Sequence, residues 1–306
     1  MLMHSGDIVI DCKGLTKRYR GTHEDALHDL TLQVKAGEIY GFLGPNGAGK
    51  STTIRTLMNF IQPTSGSATI CGRDIIRDSV AIKRRVGYLS GDLAMYPKMT
   101  GAQFLEYMGE LRPPASKAYK AELIKRFKAE MHKPLGDLSR GNRQKIGIVQ
   151  AFMHQPEVVI MDEPTSGLDP LMQEEFYELL SESRQRGAAV FSSSHILGEV
   201  QKMCDRVGII REGKLVAERS IADLANEAAQ TFDVVFKDKP PINKLRSIKG
   251  VQEISVHGNT VTLHFHGELK PLFSELSQHD ILKLDTQNLD LEEIFLRFYK
   301  QNGGWK

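Results

Sequence analysis

The stretch Gly44-Pro45-Asn46-Gly47-Ala48-Gly49-Lys50-Ser51 constrains the fold more than any other. It matches G-x-x-x-x-G-K-[ST], a loop that cradles phosphates when it joins a buried strand to a helix. Both neighbours fit. Residues 38–43 read as a short buried strand, and Ile54, Leu57, Met58 and Ile61 form an i, i+3, i+4, i+7 stripe on a helix over 51–61. The loop therefore ends at a helix N-terminus, where unpaired N–H groups and the dipole attract anions. Gly44, Gly47 and Gly49 let the main chain wrap a phosphate without Cβ clashes. Lys50 would reach the β- and γ-phosphates, and the Ser51 hydroxyl would ligate Mg²⁺. With Asn46, Ala48 and Thr52, these residues form the candidate triphosphate-binding set. The implied ligand is a nucleoside triphosphate.

Such a loop needs an acidic partner at the end of a second buried strand. Val158-Val159-Ile160-Met161-Asp162 supplies one. Asp162 is the candidate metal carboxylate. Glu163, pointing the other way, is the candidate general base that polarises the attacking water.

Composition removes several alternatives. The formal net charge of +2 gives no basic field for nucleic acid, and no nucleic-acid partner is expected. Three scattered cysteines (Cys12, Cys71, Cys204) suit neither a disulfide framework nor a zinc site, and read as reduced thiols. No run approaches the roughly 18 to 20 apolar residues of a membrane span. Residues 1–7 lack the basic and apolar regions of a signal peptide.

Along the chain, residues 7–11, 30–34, 68–71 and 86–89 read as strands, and 92–155 as helix-rich with breaks at Pro113-Pro114 and Pro134. Short apolar runs at 158–161 and 188–191 suit buried parallel strands, with a crossover helix over 171–186 between them. A hairpin is expected around Arg211-Glu212-Gly213. Beyond about residue 228 the order becomes β-α-β-β-α-β, with a hairpin turn at His257-Gly258-Asn259. A last helix starts at the capping-box segment Asp290–Glu293 and carries Leu291, Ile294, Phe295 and Phe298 on one face. His264 and His266 share a strand face, but their neighbours Val261, Leu263 and Phe265 alternate to the other side, so both are read as solvent-facing.

From residue 7 to about 220 the sequence resembles the nucleotide-binding subunits of ATP-binding cassette (ABC) transporters. The motifs that carry the likeness are Met161-Asp-Glu-Pro-Thr-Ser-Gly-Leu-Asp169, Ser194-His195, and Leu138-Ser-Arg-Gly-Asn142 in the place of the LSGGQ signature. The resemblance implies an α/β P-loop NTPase cassette at 7–225, a mixed β-sheet with helices plus a helical subdomain at about 92–155. A small α+β ferredoxin-like accessory domain at 229–302 follows. It implies ATP and Mg²⁺ as ligands, Tyr19 as the ring stacked on adenine, and His195 as the histidine that contacts the γ-phosphate alongside Lys50 and Glu163. Ser139, Gly141, Asn142 and Asp169 would bind the ATP of a second ABC ATPase subunit, identical or related, because a signature is a second anion-binding helix N-terminus.

The implied activity is ATP hydrolysis coupled to export through a separate transmembrane permease, at the cytoplasmic face of the membrane. The small C-terminal domain adds the likeness to exporters of drugs, lipids, polysaccharides or peptides. A soluble cassette acting on nucleic acid or ribosomes, or a regulatory cassette with weak turnover, is the competing expectation. Two departures bear on mechanism. Arg140 and Asn142 replace Gly and Gln of the signature, and Gly91 stands where the family carries a glutamine, with Asp92 a candidate substitute.

Overall fold

The structure, a computed structural model, describes residues 6–93, 95–114, 116–227, 230–265 and 267–287. The chain divides into two compact units, Met1–Arg219 and Ser220–Lys306.

In the first unit, β1 (Ile8–Arg18) and β2 (Asp25–Lys35) precede β3 (Ile39–Leu43), the phosphate loop and α1 (Lys50–Leu57). Then come β4 (Ser65–Ile70), β5 (Arg73–Asp74), α2 (Ser79–Arg85) and β6 (Val86–Leu89). The helix-rich stretch contains α3 (Gly101–Glu110), α4 (Lys117–Arg126) and α5 (Arg140–Phe152). β7 (Val158–Asp162), α6 (Pro170–Gln185), β8 (Ala189–Ser194), α7 (Leu197–Met203), β9 (Arg206–Arg211) and β10 (Lys214–Ser220) complete it. Glu212 and Gly213, both with positive φ, turn β9 into β10, the backbone a two-residue hairpin needs.

Two sheets share the core of this unit. One is antiparallel, in the order β2-β1-β4-β5, and the other has the order β10-β9-β3-β8-β7-β6. In the second, the pairs β9·β3, β3·β8, β8·β7 and β7·β6 are all parallel. Every residue of β3 and β8 is buried, as expected of strands covered on both faces. The register sets Leu43 beside Ser194, Asp162 beside Ser193, and Leu89 beside Met161. Four loops consequently leave the sheet at the carboxyl edge of adjacent strands, where α/β sheets bind ligands.

The helix after the phosphate loop is shorter than its apolar stripe suggests. It ends at Leu57 because Asn59 turns left-handed (φ 49°). The Asn59 N–H reaches the Thr56 carbonyl and the Phe60 N–H the Arg55 carbonyl, the paired bonds of a Schellman cap. Ile61 lies beyond the helix.

In the second unit, α8 (Ile221–Glu227) leads into β11 (Gln230–Phe236), α9 (Ile242–Ser247), β12 (Val251–His257), β13 (Thr260–Phe265), α10 (Leu269–Leu276) and β14 (Ile281–Gln287). The sheet order is β12-β13-β11-β14 and its recorded pairings are antiparallel, the arrangement of a split β-α-β unit. Phe232, Val234, Phe236, Val261, Leu263 and Phe265 meet Leu245, Leu272 and Leu276 in its core. His264 faces away from that core, its Nδ1 3.1 Å from the Thr231 hydroxyl. His266 and the expected last helix with Leu291, Ile294, Phe295 and Phe298 lie outside the described residues.

Candidate functional site

The phosphate loop is built by close packing behind and open space in front. A Cβ at Gly44 would lie 2.4 Å from the Ile210 carbonyl oxygen, so only glycine lets β3 pass β9 there. Gly47 (φ 82°) and Gly49 (φ 111°) are left-handed, and a Cβ on Gly47 would meet no heavy atom within 4 Å. No side chain caps α1, whose first N–H groups point out of the loop. Lys50 is 6% exposed. Its ammonium donates to the Gly44 carbonyl (2.7 Å) and the Pro45 carbonyl (3.2 Å), and lies 3.6 Å from Glu163 Oε1.

The carboxylates arrive from β7. Asp162 accepts a hydrogen bond from the Ser193 hydroxyl across the β7·β8 register. Glu163 is left-handed (φ 49°), a conformation that costs a non-glycine residue about 1 to 2 kcal/mol. The turn breaks strand alternation and aims its carboxylate between Lys50 and His195. Oε2 accepts from His195 Nδ1 at 2.8 Å, which fixes that tautomer, while the Glu163 N–H donates to the Ser193 carbonyl (3.2 Å).

A cleft of about 550 Å³ joins these groups. Its wall includes Asn46, Gly47, Gly49, Lys50, Ser51, Thr52, Gly91, Asp92, Arg140, Asp162, Glu163 and His195. Two loop residues stand behind the wall instead. Gly44 donates to the Ser194 carbonyl, and Ala48 is buried with its carbonyl on the Gly213 N–H (3.0 Å). Tyr19 borders an adjoining groove, its hydroxyl 3.4 Å from that of Thr52 and its ring 5.5 Å from the Lys17 ammonium.

The remaining residues of the candidate set are not on the cleft wall. Ser139 caps α5, accepting from the Asn142 N–H (3.3 Å). Gly141 packs so closely on the Gly167 carbonyl that a Cβ would come within 2.5 Å. Asp169 caps α6 through the Met172 N–H (3.0 Å) and lies 3.8 Å from the Lys145 ammonium. Gly91 packs close to β7, where a Cβ would lie 3.0 Å from the Asp162 carbonyl oxygen.

Sequence reasoning missed the serines of β8 and the carboxylate behind them. Ser192, Ser193 and Ser194 are all fully buried. Ser193 binds Asp162, and Ser194 binds Glu199 (2.8 Å). Three consecutive polar residues closing an apolar strand were the available signal.

The donor set suits a magnesium triphosphate. An ammonium, a helix N-terminus and a glycine-rich loop line the cleft, and one carboxylate with a hydroxyl on the same cleft is what Mg²⁺ takes from a protein when phosphates supply other ligands. Among the described residues no group of three or more His, Cys, Asp and Glu is placed to hold a metal by itself.

A P-loop beside a strand-end Asp-Glu pair, with a histidine just past the end of the neighbouring strand, defines a nucleoside triphosphatase with a cassette architecture. The ABC transporter family profile matches residues 27–166. The bacitracin transport ATP-binding protein BcrA of Bacillus licheniformis is 34% identical over 298 residues, covering 94% of this chain and 96% of that protein. The linearmycin resistance ATP-binding protein LnrL of Bacillus subtilis is 31% identical, covering 87% and 91%. A solved ATP-binding subunit of an ABC transporter superposes with a TM-score of 0.66 at 29% identity, over 71% of this chain and 91% of that one. A dimeric bacterial ABC transporter cassette (TM-score 0.64, 23% identity, 69% and 98% covered) shares the fold. The chain belongs to the ATP-binding subunits of ABC transporters. It binds and hydrolyses ATP, and subunits of this family dimerise and work with a transmembrane permease.

Proposed function

We propose that this cassette pairs head to tail with a second ABC ATPase subunit, encloses ATP·Mg²⁺ at the shared faces, and drives export through a separate permease. The observation that carries the reading is a division of labour within one chain. Lys50, Ser51, Asp162, Glu163 and His195 converge on one cleft, which Arg140 of the signature also lines, whereas Ser139, Gly141, Asn142 and Asp169 lie off it.

Lys50 and the α1 N-terminus bind the phosphates. Ser51 and Asp162 would hold Mg²⁺, which would supply positive charge beside the phosphates. Glu163 takes a proton from the attacking water as the bond between γ-phosphorus and the bridging oxygen breaks, releasing ADP and phosphate. His195, oriented by Glu163, holds the γ-phosphate, and Tyr19 stacks on the base. Ser139, Gly141, Asn142 and Asp169 serve the ATP of the partner subunit.

We assign 7–225 to the ATPase domain, with its helical subdomain at about 92–155, and 229–302 to the accessory domain. No helix among the described residues is long and apolar enough to cross a membrane, so attachment to the cytoplasmic face runs through the permease. Antibiotic-like compounds are the substrate class, on the strength of the bacitracin and linearmycin relatives.

The test is Glu163→Gln, which keeps shape and removes the base. Turnover falls by about 10² to 10⁴, and size-exclusion chromatography reveals a more persistent ATP-dependent dimer than wild type gives. Unchanged turnover, with no dimer trapped by ATP, would overturn the assignment.

A further inference from the structure

Glu199 lies on α7, away from the cleft wall, and no role so far uses it. It is 9% exposed, and each of its oxygens meets a different loop of the site. Oε1 accepts from the Thr165 hydroxyl, two residues beyond Glu163. Oε2 accepts from the Ser194 hydroxyl at 2.8 Å, one residue before His195.

The direction of these bonds is determined by their neighbours. Ser194 Oγ already accepts from the Ile196 N–H (3.0 Å), and its proton has a short route to Glu199 and only a 3.5 Å alternative at the Ile196 carbonyl. Glu199 is therefore the acceptor in both bonds.

Strand alternation explains the arrangement. Successive side chains of β8 point to opposite faces, so Ser193 turns to Asp162 and Ser194 to Glu199. The end of β8 is thereby fastened to the end of β7 on one face and to the segment after β7 on the other. Ser193 to Asp162 is the front clasp, and Ser194 to Glu199 to Thr165 the rear one. Between them the chain exits at Glu163 and His195, whose side chains meet at 2.8 Å.

We infer that Glu199 is a positioning residue that sets the spacing of the Glu163–His195 pair by bridging Thr165 to Ser194. This rests on the reading that Glu163 and His195 perform the hydrolysis. The phosphate loop meets Ser194 through its main chain, the Gly44 N–H on the Ser194 carbonyl, a bond that loss of the Glu199 or Thr165 side chain leaves in place, so the bridge governs turnover more than nucleotide affinity. Displacement of a reacting group by about 1 Å costs up to about 100-fold in rate.

The test uses the full chain with Mg²⁺ and ATP, comparing Glu199→Ala, Glu199→Gln, Thr165→Val and the Thr165→Val/Glu199→Ala double variant. Glu199→Ala lowers kcat by about 10- to 100-fold and shifts KM for ATP by less than about threefold. Thr165→Val, which keeps shape and removes one hydroxyl, gives a smaller loss of the same kind. The double variant is no worse than Glu199→Ala alone, and Glu199→Gln recovers part of kcat because its carbonyl still accepts from one hydroxyl. Wild-type kcat in folded Glu199→Ala overturns the inference, as does a parallel loss of kcat and ATP affinity in Thr165→Val. If Glu199→Ala does not fold, Thr165→Val decides. Glu163→Gln in the same assay separates the two layers. If it turns over like wild type, the assignment of the base has failed. If it is inactive while Glu199→Ala and Thr165→Val keep wild-type kcat, only the positioning role has failed.

Discussion

Two helix N-termini, those of α1 and α5, carry the short motifs that mark this chain, and they are built differently. At α1 the preceding loop is left-handed at Gly47 and Gly49, no side chain caps the helix, and Lys50 is buried against the ends of β3 and β7. At α5 the helix caps itself with Ser139, and both Ser139 and Arg140 are exposed. The first end leaves its N–H groups for a ligand that this chain surrounds. The second end is already stable without one and faces outward. An anion-binding helix end becomes a binding site only when its own chain supplies the opposing wall. α1 has that wall in Asp162, Glu163 and His195, whereas the α5 end sends Arg140 to the same cleft and leaves Ser139, Gly141 and Asn142 off it.

The largest effect that would test this contrast is expected from Lys50→Ala. Loss of the ammonium removes binding charge at the α1 end, so ATPase activity falls by about 10² to 10³ and ATP affinity weakens with it. Affinity is read from titration with a fluorescent ATP analogue, and unchanged binding would mean that the α1 end is not the enclosed half.

A smaller and more selective loss is expected at α5. Ser139→Asp preserves the cap, since Asp is as good an N-cap as Ser, but sets a negative charge where a partner's γ-phosphate would approach. Turnover and ATP-dependent dimerisation fall by about 10- to 100-fold, the scale of a charged hydrogen bond lost, while ATP binding to the isolated chain stays within about twofold of wild type. Weakened binding in the monomer would show that α5 serves the cleft of its own chain.

The smallest effect concerns the opposite end of α5. Burial, reinforced by the Arg112 charge, lowers the His154 imidazole to about 4. Arg112 Nη1 lies 3.4 Å from His154 Nε2, so the neutral ring accepts, and burial outweighs the attraction of a helix C-terminus for a cation. The unfolded chain binds this proton first, near the ordinary histidine value of about 6.5. The contribution of His154 is complete above that pH and is lost as pH falls towards 4. His154→Gln, whose carbonyl can still accept from Arg112, gives a flatter dependence of Tm on pH between about 7 and 4. An identical slope in both proteins would refute it.

Much of the cassette was legible because its signals are local. Strand, glycine loop and helix adjoin in residues 39–57, the Ser139 cap spans four residues, and β13 alternates buried and half-buried positions along its length. These patterns follow from periodicity and backbone preference, which a few neighbouring residues specify. The α1 stripe misled at Ile61 because a left-handed asparagine at position 59 ends the helix whatever the apolar spacing beyond it. The departure at Gly91 was visible as a missing glutamine, but its packing on the Asp162 carbonyl was not.

The sequence alone determined that this chain has a triphosphate loop, an acidic pair at the end of a buried strand and a second glycine-containing helix start. Tertiary structure decided which of them meet. The placing of Glu163 between Lys50 and His195, of Ser193 on Asp162, and of Glu199 between Thr165 and Ser194 depends on the register of β3, β7 and β8. Shifting a strand by one residue reverses the face of every side chain on it, and pairing across distant segments is selected by burial of the whole sheet rather than by any local pattern.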